Sequence, residues 1–180
     1  MFDVQETAIP SVRLMLPRVA RDARGAFVKI LHAEVFEGQG LESHFTEIYY
    51  TSSRWGSVRG MHFQIPPHQH AKLVHCVSGR VLDVVLDLRL SSPTFKRHLT
   101  FELNSEVGAG VYIPPGCAHG FATLSEEATL LYMVTSMYDA GHDRGVRWDS
   151  IGAPWPVANP IISSRDAALP ELADFDTPFA

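Results

Sequence analysis

Residues 59–75, RGMHFQIPPHQHAKLVH, hold three side chains of the types that carbon-acid chemistry needs: Arg59, His62 and Lys72. An arginine holds phosphate through paired N–H donors, and a neutral histidine accepts a proton near physiological pH. An ammonium can stabilise the enolate left behind. Two cations bracketing a base suit an enzyme that removes a proton next to a carbonyl in an anionic substrate. The same stretch contains His68, His70 and His75. With His62 they raise a rival reading, a divalent metal site.

Short strands must position these groups. Residues 25–32 (GAFVKILH) and 45–52 predict strands, the second rich in β-branched and aromatic side chains. Residues 72–77, a Ser78-Gly79 turn and residues 80–89 read as a hairpin. In its second arm Leu82, Val84, Leu86 and Leu88 share one face, and Asp83, Val85, Asp87 and Arg89 the other. Further strands are expected at 99–103, 110–113, 119–124 and 128–138. Many short strands with Gly and Pro punctuation predict an all-β sandwich or barrel. From Gly152 the chain becomes Pro/Ala-rich, yet Trp155, Ile161, Ile162 and Leu169 predict that this tail packs on the barrel.

Composition narrows the function classes. At 180 residues the chain suits one well-buried core. A net charge of −5 with no basic run argues against a nucleic-acid partner, so an anionic ligand would need a local cationic pocket. The N-terminus lacks the basic start and long apolar run of a signal peptide. Asp83 and Asp87 interrupt the most apolar segment, so no membrane span is expected. Two cysteines, Cys76 and Cys117, fit free thiols in a reducing cytoplasm, with one bridge left open.

Gly108, Pro114 and Gly116 precede His119 at the spacing of the second metal motif of the cupin superfamily, which suggests a jelly roll. The first motif would supply a carboxylate six intervening residues before Gly79, but that position is Lys72. An ammonium has no lone pair to give and repels a divalent cation. No metal is therefore expected, and His68 and His70 read more simply as part of a solvated Pro-rich loop.

Further landmarks run in order along the chain: Asp22, Arg24, Gly25 and Phe27; Arg59-Gly60 with His62 and Gln64; and Lys72-Leu73-Val74. Gly79, Val81, Asp83-Val84 and Asp87 follow, then Ile113-Pro114, Gly116 and Ala118-His119-Gly120-Phe121. Tyr132, Tyr138, Gly145-Val146 with Trp148, and Ser164-Arg165-Asp166 complete the series. In this order and spacing the chain resembles the dTDP-4-dehydrorhamnose 3,5-epimerases, metal-free cupin-fold enzymes of deoxysugar biosynthesis.

The resemblance implies an all-β, cupin-type double-stranded β-helix over residues 1–180 as a single domain, with irregular N-terminal strands and short C-terminal helical turns. It implies a cytoplasmic homodimer, with the apolar N-terminal segment crossing to the partner. The substrate would be a nucleotide-diphospho-4-keto-6-deoxy sugar, epimerised at C3, C5 or both without a cofactor. His62 would be the general base, Asp166 its carboxylate partner, Tyr132 the acid on the opposite face, and Lys72 the group beside the keto oxygen. Arg24, Arg59 and His119 would contact the diphosphate or sugar, and Tyr138 would stack on the base. Lys29, Glu47, Tyr49, Asp143 and Arg165 complete the expected substrate-facing set.

The chain departs from the family at several of these positions. Lys29 stands where the family has glutamate, Glu47-Ile48-Tyr49 where it has Gln-x-Asn, His70 where it has glutamine, and Arg165 where it has lysine. A carboxylate at 47 can accept from N–H groups that guanine or cytosine presents differently from thymine, so GDP and CDP stay open beside dTDP. The residues alone also allow Asp166 to cap a C-terminal turn, Asp83 to partner His62 or Lys72, and Tyr132 to be a core aromatic. Cys117 reads as a buried thiol rather than a nucleophile. The alternative functions are a metal-dependent cupin oxygenase, a non-catalytic nucleotide-sugar binding protein and a 3,4-ketoisomerase.

Overall fold

The structure is a computed structural model and describes residues 2–180. Among the described residues thirteen strands carry the fold. They are β1 (Phe2–Glu6), β2 (Arg13–Pro17), β3 (Val19–Asp22), β4 (Gly25–Val28), β5 (Glu47–Arg54), β6 (Val58–Gln64) and β7 (Lys72–Ser78). Then come β8 (Arg80–Asp87), β9 (His98–Asn104), β10 (Gly110–Ile113), β11 (Cys117–Thr123), β12 (Glu127–Val134) and β13 (Asp143–Gly145). Two short helices, α1 (Ala33–Gly38) and α2 (Ser164–Ala167), are the α-helical elements of the described residues.

The strands form a six-stranded sheet, β1-β2-β10-β7-β12-β5, and a five-stranded sheet, β13-β6-β11-β8-β9. Pairing within both is antiparallel. Val74, Val111, Ile113 and Leu130 of the first sheet pack against Val81, Val85, Leu103 and Phe121 of the second. Apolar alternation thus closes the two sheets face to face into the expected cupin jelly roll.

The expected hairpin over residues 72–89 is not formed. Strands β7 and β8 follow one another but lie in different sheets, β7 between β10 and β12 and β8 between β11 and β9. Ser78-Gly79 turns the corner between them. Gly79 has φ +74°, and a Cβ there would stand 2.1 Å from the Glu127 carbonyl oxygen. The turn chemistry was legible, but it does not say whether the next strand returns alongside or crosses to the facing sheet. The alternation in β8 holds: Val84, Leu86 and Leu88 face outward and Val81 and Val85 inward. Both faces are buried, because the tail covers the outer one.

That tail packs as predicted. Ile151, Trp155, Leu172, Phe175 and Phe179 lie against Met61, Phe63 and the outward face of β8. Ile161 stays exposed, although its backbone bridges Ser57. Residues 25–32 form a strand only at β4, which pairs with β3 as a hairpin apart from both sheets. Helix α1 was missed; it is six residues long with no side-chain cap, and it is held by Phe36 packing with Met15, Leu73 and Tyr112. The N-terminal segment pairs within its own chain, β1 on β2 and β2 on β10, covering the β10 edge of that sheet. Cys76 and Cys117 are free buried thiols. Among the described residues no helix is long and apolar enough to cross a membrane.

The corner at Gly79 gives a stability test. Gly79→Ala is expected to cost more than the roughly 1–2 kcal/mol of left-handed strain, because the β12 backbone must also move. Urea unfolding measures this, and an unchanged midpoint would contradict the crossing described.

Candidate active site

The backbone of β6 decides which of its side chains enter the space between the sheets. Arg59 and His62 both line the cavity although they are three residues apart, which simple alternation forbids. The register explains it: His119 pairs with His62 and Phe121 with Arg59, so β6 carries one residue more than β11. This is a β-bulge. It forms at Gly60 (φ +127°), where a Cβ would stand 2.5 Å from the Gly120 Cα, and two glycines facing each other allow that approach. The Arg-Gly-x-His spacing is thus the sequence trace of a bulge that turns both side chains inward.

The cavity measures about 420 Å³ and lies between the sheets. Arg59 and His62 enter it from β6, and His119 from β11. Glu47 and Tyr49 come from β5, Lys72 from β7 and Tyr132 from β12. Asp143, Arg165 and Tyr138 close its rim. Asp166 stands behind His62.

The contact between those two is a 2.8 Å hydrogen bond from His62 Nε2 to Asp166 Oδ1. Gly60 N donates to the other carboxylate oxygen at 3.2 Å. Ser163, not Asp166, caps α2, accepting from the Asp166 N–H at 3.0 Å. This leaves the buried Asp166 carboxylate free to face the histidine. Burial alone would raise the Asp166 carboxyl, but its hydrogen bonds, His62 foremost, outweigh that and hold it below its ordinary value. An ionised partner at Nε2 keeps the ring proton there and leaves the Nδ1 lone pair available as a base.

Asp83 is hydrogen-bonded to neither His62 nor Lys72. It accepts from His119 Nε2 at 2.7 Å in a second, fully buried pair. Lys72 is 7% exposed, and its ammonium donates to the His62 carbonyl at 3.1 Å. Burial pushes it down to about 8, opposed by nearby Asp143 and Asp83.

Tyr132 stacks on Tyr49, ring centroids 4.9 Å apart and 14° from parallel, with the His119 ring edge-on at 5.9 Å. Burial holds the Tyr132 phenol proton far above the ordinary tyrosine range and pushes Tyr49 up to about 12. Tyr132 is thus a buried, protonated phenol that belongs to the core cluster and also lines the cavity. Arg59 is fixed by Ser53 Oγ at 2.8 Å and the Ser52 carbonyl at 3.3 Å. Arg165 pairs with Asp143 at 2.6 Å. Cys117 is no nucleophile, since burial pushes its thiol up to about 12.

Two expected contacts are not brought to this cavity. Arg24 sits at the tip of the β3–β4 hairpin, 90% exposed and paired with Asp22 at 2.6 Å, and Lys29 lies just beyond β4. Neither lines the site in its own chain, because the hairpin stands off both sheets. The four-histidine metal reading also dissolves. His75 shares the outward face of β7 with Leu73, opposite Lys72, and donates to or accepts from no cavity group; its Nδ1 contacts the Gly108 carbonyl.

Gln64 lines the site without a role having been read from the sequence, and His70, expected in a solvated loop, instead lines the cavity with its ring Nε2 buried and Nδ1 against Gln64 and Ser136. Burial first, then the Lys72 charge, lowers His70 to about 3, so it is a neutral ring there. The Gln64 motif was visible, but only its contacts reveal its work. Its amide reaches the His68 and Met137 carbonyls and accepts from Asp139 N, tying two loops together.

Comparison with known proteins agrees with this geometry. A family model described as dTDP-4-dehydrorhamnose 3,5-epimerase matches residues 6–174. The dTDP-4-dehydrorhamnose 3,5-epimerase of Shigella flexneri is 38% identical over 178 residues, covering 97% of this chain and 98% of that protein. A solved 4-keto-6-deoxy sugar epimerase from the novobiocin cluster of Streptomyces spheroides has TM-score 0.92 and 34% identity, covering 96% of this chain and 88% of its own. The Legionella pneumophila dTDP-6-deoxy-D-glucose-3,5-epimerase, solved with dTDP-4-keto-L-rhamnose, has TM-score 0.93 and 30% identity, covering 98% and 95%. By sequence, fold and length, this chain belongs to the dTDP-4-dehydrorhamnose 3,5-epimerase family.

Proposed function

We propose that this chain, acting as one domain over residues 1–180, epimerises a nucleotide-diphospho-4-keto-6-deoxy sugar at C3, C5 or both, with no metal or organic cofactor. One observation supports this most. His62 belongs to the five-stranded sheet and Tyr132 to the six-stranded sheet, so base and acid enter the cavity from opposite walls. Inversion requires that the proton leave one face of a carbon and arrive on the other.

In this reading His62 Nδ1 takes the proton from the carbon beside the keto group, and its C–H electron pair moves into an enolate. The Asp166 carboxylate offsets the imidazolium charge. The Lys72 ammonium faces the enolate oxygen. Tyr132 O–H then delivers a proton to the opposite face, and its phenolate recovers one from solvent while His62 releases its own. Arg59, Arg165 and His119 hold the diphosphate and sugar, and Tyr138, 63% exposed at the rim, stacks on the base. Two of the relatives above carry dTDP in their names, so dTDP is the first nucleotide to test. Glu47 and Tyr49 are where another base would be distinguished.

We also read the protein as a cytoplasmic homodimer. Strand β5 is a sheet edge that exposes Ile48 and Tyr50, followed by exposed Trp55, and the β3–β4 hairpin exposes Phe27. Apolar surface of this kind suits a partner copy. A partner's hairpin laid across the cavity mouth would supply the Arg24 and Lys29 that the chain's own hairpin does not.

Three outcomes are expected. In D2O with a dTDP-4-keto-6-deoxy sugar, proton NMR should show deuterium entering C3 or C5. His62→Ala should slow this by about 10²–10⁴-fold, whereas Tyr132→Phe should keep exchange but lose net inversion. A Tyr132→Phe protein that inverts at the parent rate would contradict the assignment.

The alkaline limb of the pH profile is set by Lys72. Its value is lowered, so the ammonium is present below about 8 and lost above it. kcat/KM should fall as pH rises through that value, and a rate constant to pH 10 would remove Lys72 from the mechanism. Finally, mixing inactive Arg24→Ala and His62→Ala chains should restore activity if Arg24 serves the partner's cavity. No recovery in verified mixed dimers would place its role in its own chain or nowhere.

A further inference from the structure

We infer that His68, Asp139 and His142 form a binding site for a borderline divalent metal such as Zn2+ at the cavity rim, separate from the proposed reacting groups. The donor atoms of the three all lie within 4.8 Å of one another. His142 Nδ1 is 2.7 Å from Asp139 Oδ1, and His68 Nε2 is 3.9 Å from Asp139 Oδ2. Two donors each about 2.0–2.1 Å from a tetrahedral zinc stand roughly 3.3 Å apart. The two observed distances run to different oxygens of Asp139 and fall either side of that value, so a metal would replace the His142–Asp139 hydrogen bond and draw the donor atoms, now within 4.8 Å of one another, together. Two imidazoles and one carboxylate favour zinc, cobalt or nickel over magnesium or calcium.

The site is accessible and its frame is built. The three side chains are 39%, 38% and 33% exposed, leaving room for water in the remaining coordination positions. The two loops that carry the donors are fixed to each other beneath the site. Buried Gln64 donates to the His68 and Met137 carbonyls at 2.8 and 3.1 Å and accepts from Asp139 N. Ser136 Oγ donates to the His68 carbonyl at 2.9 Å, and Ile65 N to the His142 carbonyl at 2.9 Å. Such support orients ligands before a metal arrives.

This grouping differs from the histidine cluster visible in the sequence. His68 leaves His62, His70 and His75 and joins two residues of the β12–β13 loop, which a local sequence window does not unite. None of the three donors lines the cavity, but the loop also carries Tyr138. Metal binding would clamp that loop to the β6–β7 loop and stiffen the rim.

The test uses tag-free full-length protein stripped with chelator and dialysed. Titration with ZnCl2 by calorimetry should give one equivalent bound, and zinc should raise the melting temperature. His68→Gln and His142→Ala should each weaken binding by at least about tenfold and abolish the melting shift. Melting of the metal-free variants checks that they fold, and Asp139→Asn replaces any that does not. MgCl2 should give no heat. The absence of saturable zinc binding, or binding that survives all three substitutions, would overturn the site. Both readouts are independent of epimerase activity.

Discussion

The 2.8 Å contact between His62 and the buried Asp166 carboxylate is the constraint on which the rest depends. A carboxylate that is 3% exposed is tolerable only if its oxygens are satisfied, and here a ring N–H and a backbone N–H do this. The partners lie on β6 and α2, far apart along the chain. The contact therefore exists only because the tail crosses the outer face of the five-stranded sheet. Phe63, Val84, Leu86 and Leu88 hold that tail through Ile151, Leu172 and Phe179. An irregular, Pro-rich segment thus serves the site by packing, not by regular structure.

The bulge at Gly60 has a second part in the same contact. It turns Arg59 and His62 inward together, and it also aims the Gly60 N–H at Asp166. One backbone irregularity therefore positions Arg59, turns His62 inward and satisfies the Asp166 carboxylate. The facing sheet contributes Lys72 and Tyr132, each buried enough to change its proton affinity, Lys72 downward and Tyr132 upward. An acidic protein so encloses a cation-bearing pocket whose charges stand on defined walls.

Much of this was legible in the sequence where the signal was local. Alternation in β8 and β12, the Arg-Gly-x-His and Ala-His-Gly-Phe motifs and the apolar tail residues all reported their surroundings. The strand crossing at Gly79 was not legible, because a Gly turn marks a change of direction without naming the partner strand. Helix α1 was hidden because long-range packing on Phe36, not its own capping, forms it. Asp166 was ambiguous in isolation, since an acid before a short helix reads equally as a cap, and Ser163 takes that task. Arg24 is a different case. Its motif was clear, yet the hairpin that carries it lies outside its own chain's cavity.

The most direct measurement of the central contact is the tautomeric state of His62 by long-range 1H–15N NMR. The geometry requires the proton on Nε2, facing Asp166, with Nδ1 unprotonated, and it requires that this preference disappear in Asp166→Asn. A His62 protonated at Nδ1, or a tautomer indifferent to that substitution, would mean that Asp166 does not set the base.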